Sequence, residues 1–207
     1  MNMTTKTLSA LAGLALVAGS ANAALITPTG VTASTELNGT WAAVNTINGS
    51  GLNAPGDETA THVSTNGDMW LTSTSAGTGV GGWITFDLGS EMDLDGAYIW
   101  NFNQPGQGGR GYLNFDIYVG GSGDSAATTL LVSGASIVRD GGSGPVSAQF
   151  EAFSASDVQY VRFLSQSNGN NNIVGLSEVR FSEVPEPGSP ALLVLGGLLI
   201  GGRRRRG

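Results

Sequence analysis

The clearest pattern in the chain runs from Gly82 to Phe102, GWITFDLGSEMDLDGAYIWNF. Ile84, Phe86 and Leu88 alternate with Thr85 and Asp87. A period of two sends one set of side chains to a core and the other to water, so this stretch reads as a strand. Gly89 and Ser90 close it and an acidic turn follows. Ala97–Phe102 then reads as a second strand, rich in aromatic and β-branched residues. Further strands are predicted at Val31–Leu37, from Trp70, at Leu113–Val119, at Leu130–Val132 with Ile137–Val138, at Val146–Phe150, at Val158–Leu164 and at Ile173–Phe181. A polar loop from Ser50 to Asp68 and glycine-rich links separate them. Roughly eight strands at spacings near ten residues predict an all-β fold, an antiparallel sandwich or jelly roll.

The two ends follow other rules. Residues 1–23 read as a signal peptide: Lys6, a Leu/Ala/Val/Gly run over Leu8–Ser20, then the small-x-small site Ala21-Asn22-Ala23. Cleavage is expected between Ala23 and Ala24, which makes signal peptidase a processing partner. At the other end, Pro185-Glu186-Pro187 opens residues 185–207. An apolar run, Ala191–Gly202, leads to Arg203, Arg204, Arg205 and Arg206. This resembles the PEP-CTERM sorting signal of exported bacterial proteins. The resemblance implies that an exosortase in the inner membrane recognises the tail and cuts near the motif. Twelve apolar residues make roughly 18 Å of helix, short of the ~30 Å hydrocarbon core, so the segment suits a transient membrane hold. The arginines and Lys6 should stay cytoplasmic by the positive-inside rule, which places residues 24–184 outside. The expectation is an exported protein at the cell surface or in the extracellular matrix.

Charge and composition narrow the function. Between Ala24 and Val184 stand four arginines and no lysine, against fifteen carboxylates, a net charge of about −11. Such a surface repels nucleic acid. The chain has no cysteine, which removes disulfides, thiol catalysis and Cys-type zinc sites. Its one histidine, His62, reads as a solvated or loop-packing residue. Gly77–Gly82 fits G-x-G-x-x-G but precedes a strand, so it reads as a turn and not a dinucleotide loop. Glu91–Gly96 imitates the start of an EF-hand loop, yet Phe102 stands at the twelfth position, so it reads as a surface turn. Nothing selects a pair of carboxylates for hydrolysis. The expectation is therefore a non-enzyme. The loop Asn101–Arg110 is the candidate ligand surface, because Asn101, Asn103, Gln104 and Arg110 offer amide and guanidinium groups that match sugar hydroxyls. An ordinary polar loop, with Arg110 paired to a carboxylate, is the alternative.

Several motifs stand in a telling order. They are Asn45-Thr46-Ile47-Asn48-Gly49, Trp70, Trp83-Ile84-Thr85-Phe86-Asp87-Leu88-Gly89, Arg110-Gly111 with Phe115-Asp116-Ile117, Tyr160-Val161-Arg162 and Leu176-Ser177-Glu178-Val179. Together they resemble the discoidin-like module, also called the coagulation factor five/eight type C or galactose-binding-like domain, over about Val31 to Ser182. The resemblance implies an eight-stranded jelly-roll sandwich that binds carbohydrate or lipid head groups through loops at one end. The partner it implies is an extracellular glycan or polysaccharide, with a role in a biofilm matrix. A structural matrix protein without a specific ligand is the alternative. The resemblance also implies a structural calcium, here with Asn48, Asp57 and Glu178 as candidate ligands. Asn48 stands where the family has aspartate, and a neutral amide holds calcium more weakly. Glu178 could instead pair with Arg162 or Arg180.

Overall fold

A computed structural model describes residues 24–63, 67–73, 80–139, 144–167 and 172–184. The expected signal peptide with Ala23, the sorting segment with Pro185, Glu186, Pro187 and Arg203 to Arg206, and residues 77–79 of the Gly77–Gly82 turn lie outside the described residues. Residues Ala23–Val184 form one compact unit. Ten strands follow in order. They are β1 (Ala24–Ile26), β2 (Gly30–Ala33), β3 (Thr61–His62), β4 (Trp70–Leu71), β5 (Trp83–Asn101), β6 (Asn114–Gly120), β7 (Thr129–Ser136), β8 (Val146–Ser147), β9 (Gln149–Ser167) and β10 (Gly175–Glu183). All the strand ladders are antiparallel.

The structure corrects the central reading. The two strands expected around an acidic turn are one strand of 19 residues, β5. β9 is equally long and runs beside it, joining the end of the strand expected at Val146–Phe150 to the one expected at Val158–Leu164, while Val146–Ser147 stays apart as β8. The reason lies in side-chain phase. Ile84, Phe86, Leu88 and Leu94 are buried at even positions, while Ala97 and Ile99 are buried at odd ones. Leu94, in the middle of the acids, is fully buried and draws the segment inward. The register between β5 and β9 shifts at Asp87/Met92, Met92/Leu94 and Leu94/Gly96. Such bulges bend a strand and change its twist without ending it. The first half of β5 pairs with β2, and the second half with β10. β9 divides in the same way, its later half pairing with β6.

The result is a β-sandwich of the jelly-roll type. One layer holds β2, the first half of β5, the second half of β9, β6 and β7. The other holds β1, β4, β10, the second half of β5 and the start of β9. The faces meet on phenylalanines. Phe86 lies 5.5 Å from Phe163 within its own layer and 5.5 Å from Phe181 across the layers, centroid to centroid. Edge-on aromatic pairs at such distances add about 0.5–1.5 kcal/mol to what burial alone contributes. Two turns of 3-10 helix, Gly39–Trp41 and Ala43–Thr46, lie between β2 and the polar loop. The long polar loop also holds a strand, β3, which pairs with β8.

Candidate functional site

β5 ends, and β6 and β10 begin, at the same end of the sandwich. The segment 102–113 crosses that end, and two asparagines hold it. Asn101 is fully buried. Its Oδ1 accepts from the amides of Phe102 and Tyr112 at 2.9 and 3.0 Å. Its Nδ2 donates to the carbonyls of Tyr112 and Val138 at 2.8 and 3.1 Å. The close approach demands glycine next door, since a Cβ on Gly111 would sit 2.7 Å from Asn101 Oδ1. Asn103, also fully buried, donates to the carbonyls of His62 and Gly144 and accepts from the Ser177 hydroxyl. Backbone groups in a loop must be satisfied somewhere, and here side-chain amides do it. Below the loop, Phe102 packs on Trp41 with ring centroids 5.9 Å apart.

Four residues of this segment stood as ligand contacts, and the structure divides them. Asn101 and Asn103 hold the scaffold with amides already committed. Gln104 and Arg110 are half-buried and reach the surface. Arg110 Nη1 donates to Gln104 Oε1 at 3.2 Å, and its Nε has no hydrogen-bond partner. Partial burial pulls the guanidinium below its usual range. Arg139, not singled out from the sequence, donates through Nη1 to the Gly109 carbonyl at 3.2 Å. Two of the four arginines of residues 24–184 thus share one loop cluster. Val138, beside them, is 73% exposed. Sequence separation of nearly thirty residues hid Arg139, and no local signal marks it.

The residues read as a calcium set lie apart in role. Asn48 is exposed, and its Oδ1 accepts from the Ser50 amide at 2.8 Å. Asp57 is exposed, and its Oδ1 accepts from the amide and hydroxyl of Thr59, which hold its carboxyl low. Glu178 is fully buried and ion-paired with Arg180, while the Gly49 amide donates to its Oε2 at 3.1 Å. Burial pushes the Glu178 carboxyl up, and the Arg180 charge opposes that. Among the described residues, no group of three or more His, Asp or Glu is placed to hold a metal ion. The arrangement does not fit calcium: a guanidinium already occupies the one buried carboxylate.

Other sequence features fall into structural places. Trp100 is fully buried and donates from Nε1 to the Ala60 carbonyl, so residues 48–60 lie over it. Trp83 is half-buried, with the Arg162 guanidinium 4.4 Å from its ring centroid. His62 is buried and its Nε2 lies 3.0 Å from the Asp68 carbonyl. A carbonyl only accepts, so Nε2 carries the proton. Burial pulls this imidazole below its usual value. Gly51, at φ +83°, lies so close that a Cβ would sit 2.4 Å from the ring. Glu91 belongs to β5, and its Oε1 accepts from the Ser122 amide at 2.7 Å.

No family model matches the chain, and no curated protein does. Solved structures do match. A family 32 carbohydrate-binding module of AlyQ, in complex with 4,5-unsaturated mannuronic acid, is 23% identical at a TM-score of 0.51. The match covers 76% of this chain and 96% of that one. The family 32 module of NanJ from C. perfringens, in complex with galactose, is 13% identical at a TM-score of 0.54, over 78% and 99% of the two chains. An F5/8 type C domain from Bacteroides fragilis is 17% identical at 0.51, over 80% and 99%. The fold is theirs. This discoidin-like, galactose-binding-like sandwich accounts for the described residues, and identities this low speak for architecture alone.

Proposed function

We propose that the chain is an exported, non-catalytic glycan-binding module whose contacts centre on Gln104 and Arg110. The observation that carries this is the Arg110 guanidinium. It is half-buried and reaches the loop surface, its Nη1 donates to Gln104, and it shares the loop with a second arginine. Planar guanidinium forks suit the paired oxygens of sugar hydroxyls and carboxylates. Asn101 and Asn103 position the loop from beneath. Solved modules of the same fold have been seen with a mannuronic acid and with galactose, which supports this class of ligand. Export rests on the two ends of the sequence. Signal peptidase would release residues 1–23, the tail would hold the protein briefly at the inner membrane, and an exosortase would then process it for the cell surface or matrix.

A glycan array with residues 24–184 tests the binding. Saturable binding that Arg110→Ala weakens at least tenfold is expected. No saturable binding to any neutral or acidic glycan would leave the structural-protein reading in its place. Mass spectrometry of the secreted form checks the sorting, and an intact Arg203–Arg206 tail on that form would contradict it.

A further inference from the structure

Where the resemblance to the discoidin-like module implies a metal, this chain supplies a charge of its own. Glu178 and Arg180 are two residues apart on β10, so they share its outer face. Both are buried, at 0% and 3% exposure. Arg180 Nη1 bonds to Glu178 Oε1 and also donates to the Val179 carbonyl at 2.9 Å. The other carboxylate oxygen takes the Gly49 amide. The guanidinium also reaches the loop, since a Cβ on Gly49 would lie 3.5 Å from Arg180 Nη2. Carboxylate, guanidinium and loop backbone thus meet at one point.

Charge counting favours this arrangement over a divalent ion. Calcium wants six to eight oxygens, several of them anionic. Here one carboxylate is buried, Asn48 is neutral, and Asp57 bonds within its own turn. Calcium beside Glu178 and Arg180 would leave an excess of two positive charges in a dry site. The ion pair alone sums to zero, the condition under which buried charge is tolerated. We infer that the Arg180 guanidinium occupies the place of the cation, closing residues 48–57 onto β10 without metal. The neutral residue at position 48 follows from that exchange. A fixed monovalent cation needs one carboxylate and has no use for a second.

Thermal melts of the purified chain in calcium and in EDTA test this. The wild type should shift by less than about 1 °C between them, since a ligand stabilises only a fold that binds it. Arg180→Ser should melt lower in EDTA. Calcium should restore on the order of 5 °C of that loss, with magnesium restoring less because it demands stricter geometry. The double variant Glu178→Gln with Arg180→Met should show no calcium response. A saturable calcium-dependent rise in the wild type would overturn the inference. So would a folded Arg180→Ser indifferent to calcium, which would make the guanidinium an ordinary partner of Glu178. Should Arg180→Ser not fold, the wild-type titration alone decides.

Discussion

Two loop regions of this sandwich use the same polar chemistry in opposite directions. Residues 48–63 turn it inward. His62 Nε2, the Glu178–Arg180 pair and the Trp100 indole N–H find partners there, while His62 Nδ1 and Arg180 Nε are buried without one. Residues 102–113 turn part of it outward. Their asparagines are buried and committed to the loop backbone, yet Gln104 and Arg110 are only half-buried and reach the surface. Side-chain type does not separate the two regions, since both carry amides and each meets an arginine, Arg110 in the one and Arg180 of β10 in the other. The difference is what lies on top. One region covers a sheet face, so its polar groups lie inside and most of them pair with protein. The other spans an end of the sandwich, where Gln104 and Arg110 keep part of their side chains in water.

The largest expected effect breaks the inward-facing region. Trp100→Ala should cost about 3–5 kcal/mol in urea unfolding, because it empties the volume under residues 48–60 and orphans the Ala60 carbonyl. If the loss stayed under about 1 kcal/mol, those residues would not be seated as described. Next comes the pin that joins both regions. Asn103→Ala leaves the His62 and Gly144 carbonyls without their donor, and should cost roughly 1–3 kcal/mol. It should also weaken glycan binding through the displaced loop, which a structural role confined to the core would not do. Arg110→Ala should change stability by no more than about 0.5 kcal/mol, the usual range for a surface position, while binding falls at least tenfold. A large stability loss with unchanged binding would reverse the contrast between the regions.

The smallest effect is in pH. His62 is depressed in the fold by burial, so the unfolded chain binds the proton more readily. Its contribution is therefore complete above the unfolded value near 6.5 and is lost as pH falls below it. The urea midpoint should drop between pH 7 and pH 5.5, and His62→Asn should flatten that slope. A slope unchanged by the substitution would place the acid sensitivity elsewhere.

The strands were legible wherever one face is wet. Leu113, Phe115, Ile117 and Val119 alternate with polar neighbours, and β6 lies there. β10 was found although both its faces are buried, because Val179 and Phe181 alternate with Glu178, Arg180 and Ser182. The continuity of β5 was not legible. Gly89, at φ +88°, and the acids after it read as a turn, since local preference treats each residue alone. Only β9, some seventy residues away and irregular at matching positions, carries the chain through that bend. Composition singled out the loop Asn101–Arg110 as a candidate, but not its division into scaffold and surface. Asn101, Asn103, Gln104 and Arg110 look alike as letters. They differ in which carbonyls the fold brings within 3 Å.

The amino-acid sequence by itself determined an all-β architecture, a lysine-free acidic surface, the absence of thiol chemistry and the expectation of processed ends. Each of these is a property of composition or of neighbours along the chain. Tertiary structure alone decided that Arg180, and not Arg162, meets Glu178, that Arg139 joins Arg110, and that β5 never breaks. Burial and charge pairing are settled between residues far apart in sequence, and the free energy of a polar group depends on what surrounds it once water has left.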